Sequence, residues 1–321
     1  MSVANGTITA TQFTTAAGKI LAFSPNGSKI ILSDTQDTPQ QVFVFDTGAH
    51  TALTLPIVGA TAAAFSPDGL KAYIVAGSTL YVYSQQDALQ TVPLAAPATD
   101  VAFNSNGMLG YLAGGDPAGV LFGSVCDGSP TLAPVASPNA SLIRELPNGS
   151  LLTLSSSNQF GIITPAFSGT PSSTDFLGCL FSRTQNWPTG VLAHGFINVT
   201  NTSASTVNLG AGFSSIQLLV SSDGSRAYLL APNLATILVY NIDNGTTSSI
   251  ALAGNAGPVR GALVSDGSLL FVLGTDRKLH ALDTATLTDT QQVSFPDNFC
   301  RDSAGNPAPF TCLPDLIAVT P

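Results

Sequence analysis

Six times along this chain an apolar run ends in a short turn of one design, and an apolar strand then restarts. The turns are Phe23-Ser24-Pro25-Asn26-Gly27, Phe65-Ser66-Pro67-Asp68-Gly69, Phe103-Asn104-Ser105-Asn106-Gly107, Leu146-Pro147-Asn148-Gly149, Ser221-Ser222-Asp223-Gly224 and Ser265-Asp266-Gly267. Their closing glycines lie 42, 38, 42, 75 and 43 residues apart, so one unit recurs. Asn-Gly and Asp-Gly suit tight turns because these residues tolerate positive φ at little cost. A period of ~40–45 residues, read as four strands per unit, predicts an all-β fold, a β-propeller of four-stranded blades.

Each unit has the same internal order. Four residues after each glycine stand Ile31, Tyr73, Tyr111, Thr153, Tyr228 and Phe271, β-branched or aromatic types that suit a packed, pleated surface. A second column, Phe43, Tyr81, Tyr240 and His280, falls in the next strand, and a Thr/Ser-rich strand such as Leu53-Thr54-Leu55-Pro56 follows. The pattern lapses between Gly149 and Gly224. Six turns plus terminal strands favour seven blades, with six blades and an insertion at about 165–205 as the alternative. The outer-type strand Thr7–Thr11 and the inner-type strand Leu316–Val319 are expected to meet and close the ring, which removes exposed sheet edges.

At Ala64-Phe65-Ser66-Pro67-Asp68-Gly69, Val101-Ala102-Phe103 and Leu238-Val239-Tyr240-Asn241-Ile242-Asp243 the chain resembles the YVTN-type propeller repeat of bacterial surface and secreted proteins. The resemblance covers roughly residues 15–295 and implies a propeller. It leaves function open, since lactonase-like hydrolases and binding modules share the repeat.

Composition narrows the setting. Charged residues make up 9% and apolar ones 44%, so Ser, Thr, Asn and Gln must supply most of the solvated surface. Such a balance fits an extracellular or cell-surface protein. No apolar run approaches the ~18 residues a spanning helix needs, which argues against membrane insertion. The net charge is −9 and the ten Lys and Arg are scattered, so the clustered cations that nucleic acid requires are missing. With no leader at Met1-Ser2-Val3-Ala4, residues 1–321 read as one propeller domain excised from a longer protein.

Four cysteines without a Cys-x-x-Cys pair point to disulfides rather than metal, and the expected pairs are Cys126–Cys179 and Cys300–Cys312. Seven Asn-x-Ser/Thr triplets occur, several of them in turns. The irregular stretch Gly169–Gly190 is the longest without repeat order, and such loops on rigid scaffolds often carry binding.

Catalytic patterns are scarce. The chain has no Gly-x-Ser-x-Gly elbow, His-Glu-x-x-His, phosphate-cradling loop or EF-hand, and no cofactor is expected. Of three histidines, His280 sits in the aromatic column as a packing residue, His50 in a turn and His194 in the irregular stretch. The sharper feature lies in the first strand of each unit. Alignment on the glycines puts Ile20, Ala62, Asp100, Leu142, Gln217 and Arg260 in one column, and it places Arg144 and Glu145 where other units hold small or apolar residues. First strands line a propeller's channel, so Asp100, Arg144, Glu145, Gln217 and Arg260 form a candidate site at the channel mouth. It suits a small anionic or sugar-like ligand; self-neutralising ion pairs are the plainer alternative, since unpaired charge there costs several kcal/mol.

The reading that results is a binding, interaction or structural module whose partner is a protein, carbohydrate or small molecule. Two alternatives stand beside it, a lactonase-like hydrolase and a subunit of an extracellular assembly. The hydrolase would need carboxylates converging on a channel cation, and the two arginines oppose that.

Overall fold

The structure is a computed structural model. It describes residues 2–4, 7–9, 19–34, 41–84, 88–105, 107, 109–116, 119–124, 133–136, 139–168, 198–208 and 215–295. Among these, six four-stranded antiparallel sheets form in strict chain order, each strand pairing with the next. No α-helix occurs among the described residues, and one 3-10 turn lies at Ala253–Asn255.

Sheet I holds Lys19–Phe23, Lys29–Ser33, Val42–Asp46 and Thr51–Leu55; sheet II holds Ala62–Phe65, Lys71–Ala76, Thr79–Ser84 and Leu89–Pro93. Sheet III holds Ala98–Phe103, Leu109–Gly114, Gly119–Ser124 and Ala133–Ala136; sheet IV holds Ala140–Glu145, Leu151–Ser155, Gln159–Ser168 and Asn198–Asn208. These four belong to one compact unit, Ala16–Ala211. The second unit, Met1–Thr15 with Gly212–Pro321, contains sheet V (Gln217–Val220, Arg226–Leu230, Thr236–Asn241, Thr247–Ala251) and sheet VI (Pro258–Leu263, Leu269–Gly274, Lys278–Asp283, Thr288–Ser294).

The repeated turn is built by one hydrogen-bond plan. In sheet II the Ser66 hydroxyl donates to Asp68 Oδ1 at 2.6 Å and accepts from the Lys71 amide at 3.0 Å, while Gly69, at φ 70, donates to the Ser66 carbonyl at 2.8 Å. Ser24 and Ser221 repeat the arrangement, with Asn26 and Asp223 in the place of Asp68. The turn of sheet IV is one residue tighter, closed from Leu146 to Ser150. Consequently Leu152, not Thr153, lies opposite Arg144 and fills the position of Tyr73 and Tyr111, which face Ala64 and Ala102.

The second aromatic column also needs correction. Phe43, Tyr81 and His280 face Leu32, Ile74 and Val272, but Tyr240 faces Ala227 and so shares its register with Phe45 and Tyr83. The cause is the strand's closing polar residue. Asp46 and Asp283 accept amide hydrogens two and three residues on; in sheet V Asn241, and not Asp243, takes that place, accepting from the Asn244 amide.

The core lies between successive sheets. Ile31 and Val44 of sheet I, with Ile57 in the connection after it, pack with Ala72, Ile74 and Tyr83 of sheet II; Tyr228, Val239 and Ile250 of sheet V pack with Leu270, Val272 and Leu282 of sheet VI. Each fully buried side chain of this size contributes about 2 kcal/mol by area. Tyr73 of sheet II lies directly over Gly110 of sheet III, where a Cβ would stand 2.5 Å from its ring, and its ring centroid is 4.8 Å from that of Phe103. Small residues in the second strand thus let large rings bridge neighbouring sheets. This packing buries much of the chain's apolar content, and among the described residues no helix is long and apolar enough to cross a membrane.

The interval from Gly149 to Gly224 contains a single sheet among the described residues, because Asn198–Asn208 is the fourth strand of sheet IV and pairs with Gln159–Ser168. The additional residues fall between its third and fourth strands. Thr7–Thr9 pairs with Ser2–Ala4 and lies beside Thr288–Ser294. Its expected partner Leu316–Val319 lies outside the described residues, as do all four cysteines, His194 and the stretch Gly169–Gly190.

Candidate functional site

The candidate residues sit on the first strands, and those strands run beside one another from sheet to sheet, I to IV in one unit and V to VI in the other. Register keeps four of the six column members together, while Ile20 and Leu142 face the fifth residue after the turn glycine, Leu32 and Leu154. Ala62, Asp100, Gln217 and Arg260 each face the sixth residue after the turn glycine, namely Val75, Ala113, Leu230 and Leu273. In sheets III, IV and VI a bulge precedes this position, at Thr99, Ser141 and Val259. Bulges re-aim side chains. Here the effect is visible, because the Thr99 hydroxyl donates to the Ser141 carbonyl of the adjoining sheet at 2.9 Å.

Asp100 is a crosslink between sheets III and IV. Its Oδ1 accepts the Val101 amide at 2.9 Å; its Oδ2 accepts the Ile143 amide at 3.0 Å and Arg144 Nη1 at 2.6 Å. The Asp100 side chain is 12% exposed and that of Arg144 30%. Arg144 Nη1 also bonds the Ile143 carbonyl. A buried carboxylate is thereby supplied with two amides and a guanidinium, the combination that offsets its desolvation.

Glu145 caps the neighbouring turn by accepting the Ser105 amide at 2.5 Å. Burial pushes its carboxyl above the usual range, and hydrogen bonds from Ser105 pull it partly back. Buried Tyr111 is held far above its ordinary value, first by burial and then by the Glu145 charge. Asp100, Arg144 and Glu145 therefore do come together, at one seam.

Gln217 works the same way in the other unit. Its Oε1 accepts the Gly261 amide at 2.8 Å and its Nε2 donates to the Gly261 carbonyl at 2.9 Å, so one side-chain amide imitates a strand pairing with sheet VI. Arg260 Nη1 donates to the Val259 carbonyl at 3.0 Å. The five candidates thus resolve into two seams, each within its own unit.

One cluster was not legible as such. His280 is fully buried, as its place in the column implies, but it is clasped rather than simply packed. Nδ1 lies 2.7 Å from Asp289 Oδ2 and Nε2 lies 3.1 Å from Asp276 Oδ1. Asp289 also accepts the Ala253 amide at 2.9 Å and Gln292 Nε2 at 2.8 Å, which joins the outer strand of sheet VI to the end of sheet V. Burial would raise the Asp289 carboxyl, but the bonds from Gln292, Ala253 and His280 outweigh it and hold it below the usual range. Gly274 leaves the room, since a Cβ there would stand 2.4 Å from Asp276 Oδ1 and 2.7 Å from His280 Nε2. Asp276, four residues before His280, and Asp289, nine after, were the available signal. His50 takes φ 56 in the turn after Asp46.

No protein-family model matches the chain, and no curated protein matches it. Among solved structures it is similar to the hydrazine synthase of Kuenenia stuttgartiensis, at 13% identity and a TM-score of 0.57 over 88% of this chain and 80% of that one. It is likewise similar to the β-propeller domain of Cps50 (Swd1) from Myceliophteria thermophila, at 12% identity and a TM-score of 0.60 over 87% of each chain. At such identities the likeness concerns the fold alone, and the fold is a β-propeller.

Proposed function

We propose that this chain is a binding or interaction module of YVTN type that works outside the cell, where it presents surfaces to a protein or carbohydrate partner and catalyses no reaction. The observation that carries the reading is the use made of the first-strand polar residues. Asp100, Gln217 and Glu145, the groups a channel-centred hydrolase would need as ligands or general bases, accept backbone amides at the seams and serve construction. The propeller fold supports the same reading, because rigid stacked sheets hold loops in fixed relation. Arg144, tied to Asp100, keeps 30% of its side chain exposed and is a first-strand cation that an anionic group on a partner could approach. The extracellular setting rests on a surface that draws on Ser, Thr, Asn and Gln, with only 9% charged residues.

The test sets binding against turnover. The purified chain is presented to a glycan and peptide array and, in parallel, to a panel of lactones and esters. Saturable binding without hydrolysis is expected. Hydrolysis that disappears in Asp100→Asn or Glu145→Gln would overturn the assignment.

A further inference from the structure

A neutral imidazole carries a single N–H, so it offers one donor and one acceptor. At fully buried His280 both ring nitrogens face acceptors, Nδ1 toward Asp289 Oδ2 at 2.7 Å and Nε2 toward Asp276 Oδ1 at 3.1 Å. An ionised carboxylate has no hydrogen to give, so a neutral ring would set its lone pair against one of the two. The imidazolium, with two N–H groups, satisfies both contacts. Each carboxylate is also provided for as an anion. Asp289 Oδ1 accepts Gln292 Nε2 and its Oδ2 accepts the Ala253 amide, while Asp276 Oδ2 lies 3.4 Å from Lys278 Nζ. The strand is bent to build this arrangement. Residues three apart on a regular strand point to opposite faces. Here the register shift opposite Ala281/Leu282 leaves Thr290 unpaired and brings Asp289 to the face of Gln292, the residue opposite His280. The other charged residues of the adjoining elements are Arg277 in the turn and Asp283 at the far end of the His280 strand; Leu269–Gly274 and residues 252–257 carry none.

We propose that His280 is a proton-operated latch: as an imidazolium it fastens the outer strand of sheet VI, through Asp289, to the Ala253 end of sheet V, and loss of its proton to solvent base releases that fastening. A neutral ring turns a lone pair toward Asp276 or Asp289 and withdraws the positive charge that lies between them. Asp289, whose side chain is 4% exposed, then keeps its burial but loses the cation that offsets it. Relief comes by moving toward water, and that movement breaks the bond to the Ala253 amide. The segment 252–257, which leads from sheet V into sheet VI, is thereby held while the ring is charged and let go as pH rises.

Ring-nitrogen NMR and amide hydrogen exchange on the wild-type chain test this. At neutral pH both ring nitrogens of His280 should carry a proton. As pH is raised that signature should disappear, and the protection factor of the Ala253 amide should fall in step by about tenfold or more, the effect of losing a charge-assisted hydrogen bond. The Gly261 amide, bonded to Gln217 between the same two sheets, should keep its protection. His280→Phe supplies the residue type that sheet I carries in this column as Phe43, so it should preserve packing and abolish the pH dependence at Ala253. A ring with one proton at neutral pH would overturn the proposal, as would an imidazolium that persists until the chain unfolds. So would Ala253 protection that ignores the ring's proton, or that falls together with Gly261 in a general loosening. Both decisive measurements use wild-type protein, so a phenylalanine variant that failed to fold would not rescue or sink it.

Discussion

Sheets III and IV are joined by Asp100, and sheets V and VI by Gln217, from the same column and to the same point. Each reaches the amide one residue past the next sheet's own column position, Ile143 in one seam and Gly261 in the other. The chemistry differs. The carboxylate has only acceptors, so it gathers two amides and imports the Arg144 guanidinium. The side-chain amide has a donor and an acceptor, so it satisfies both backbone groups of Gly261 and needs no counter-ion. One seam is therefore held by charge, the other by neutral pairing. The ion pair follows from the residue chosen for the stitch, and it does not by itself mark a ligand site.

The largest contrast should come from removing each stitch. Asp100→Ala leaves two amides and a largely buried guanidinium without their acceptor, which should cost about 3 kcal/mol or more. Gln217→Ala removes two neutral bonds at one residue and should cost about 1–2 kcal/mol. Denaturant unfolding of the two variants measures this. Equal losses would mean that charge has no special part in the first seam.

The second difference is steric. The bonded amide in the first seam belongs to Ile143, whose side chain is fully buried among Tyr111, Val120 and Phe122, while in the second it belongs to a glycine. A Cβ on Gly261 would stand 3.0 Å from both Leu230 Cδ2 and the Phe271 carbonyl oxygen. Leu230 can yield, but the carbonyl is fixed in the ladder. Gly261→Ala should therefore push the strand away from Gln217 and cost about 1 kcal/mol or more. In the double variant with Gln217→Ala the loss should be less than additive, since the bonds are already gone. Strict additivity in a double-mutant cycle would separate the two effects.

Much of this was readable in advance, for a local reason. Turn chemistry is written in adjacent residues, so Ser66 to Lys71 fixed its own geometry, and the recurrence of such turns implied the sheets. Polar residues in otherwise apolar first-strand columns singled out Asp100, Arg144 and Gln217. What the column could not reveal was their partners, because Ile143 and Gly261 offer backbone atoms, which every residue possesses. Two registers went astray for a related reason. A turn shortened by one residue after Leu146 moved Leu152 into the place expected for Thr153. The Asn241 cap, equivalent to Asp46 in action but not in identity, displaced Tyr240. The clasp on His280 was missed because Asp276 and Asp289 reach it from a turn and from a bulged strand.

The smallest expected effect concerns pH, and it too divides the two regions. Glu145 stands where sheet VI has Leu263, so only the first seam carries a half-buried carboxyl with a raised pKa. Burial, the larger cause, makes its folded-state value exceed the unfolded one. Its stabilising contribution is therefore fully present below the unfolded value and is lost as pH rises through the folded one. In sheet V, Asp223 behaves oppositely. The Ser221 hydroxyl, with Ser225, holds it at about 2, so its contribution is present above the unfolded value and is lost as pH falls toward the folded one. Urea midpoints measured between about pH 4 and pH 7 should thus converge or diverge with opposite slopes. Relative to Glu145→Gln, the wild-type chain should gain stability on acidification, by less than about 1 kcal/mol once solvent screening at a half-buried site is allowed for. Relative to Asp223→Asn, it should lose stability at the acid end of the same series. If both differences ran in the same direction, burial would not be what sets the Glu145 carboxyl, and the contrast between a charged and a neutral seam would have to rest on the Asp100 and Gln217 stitches alone.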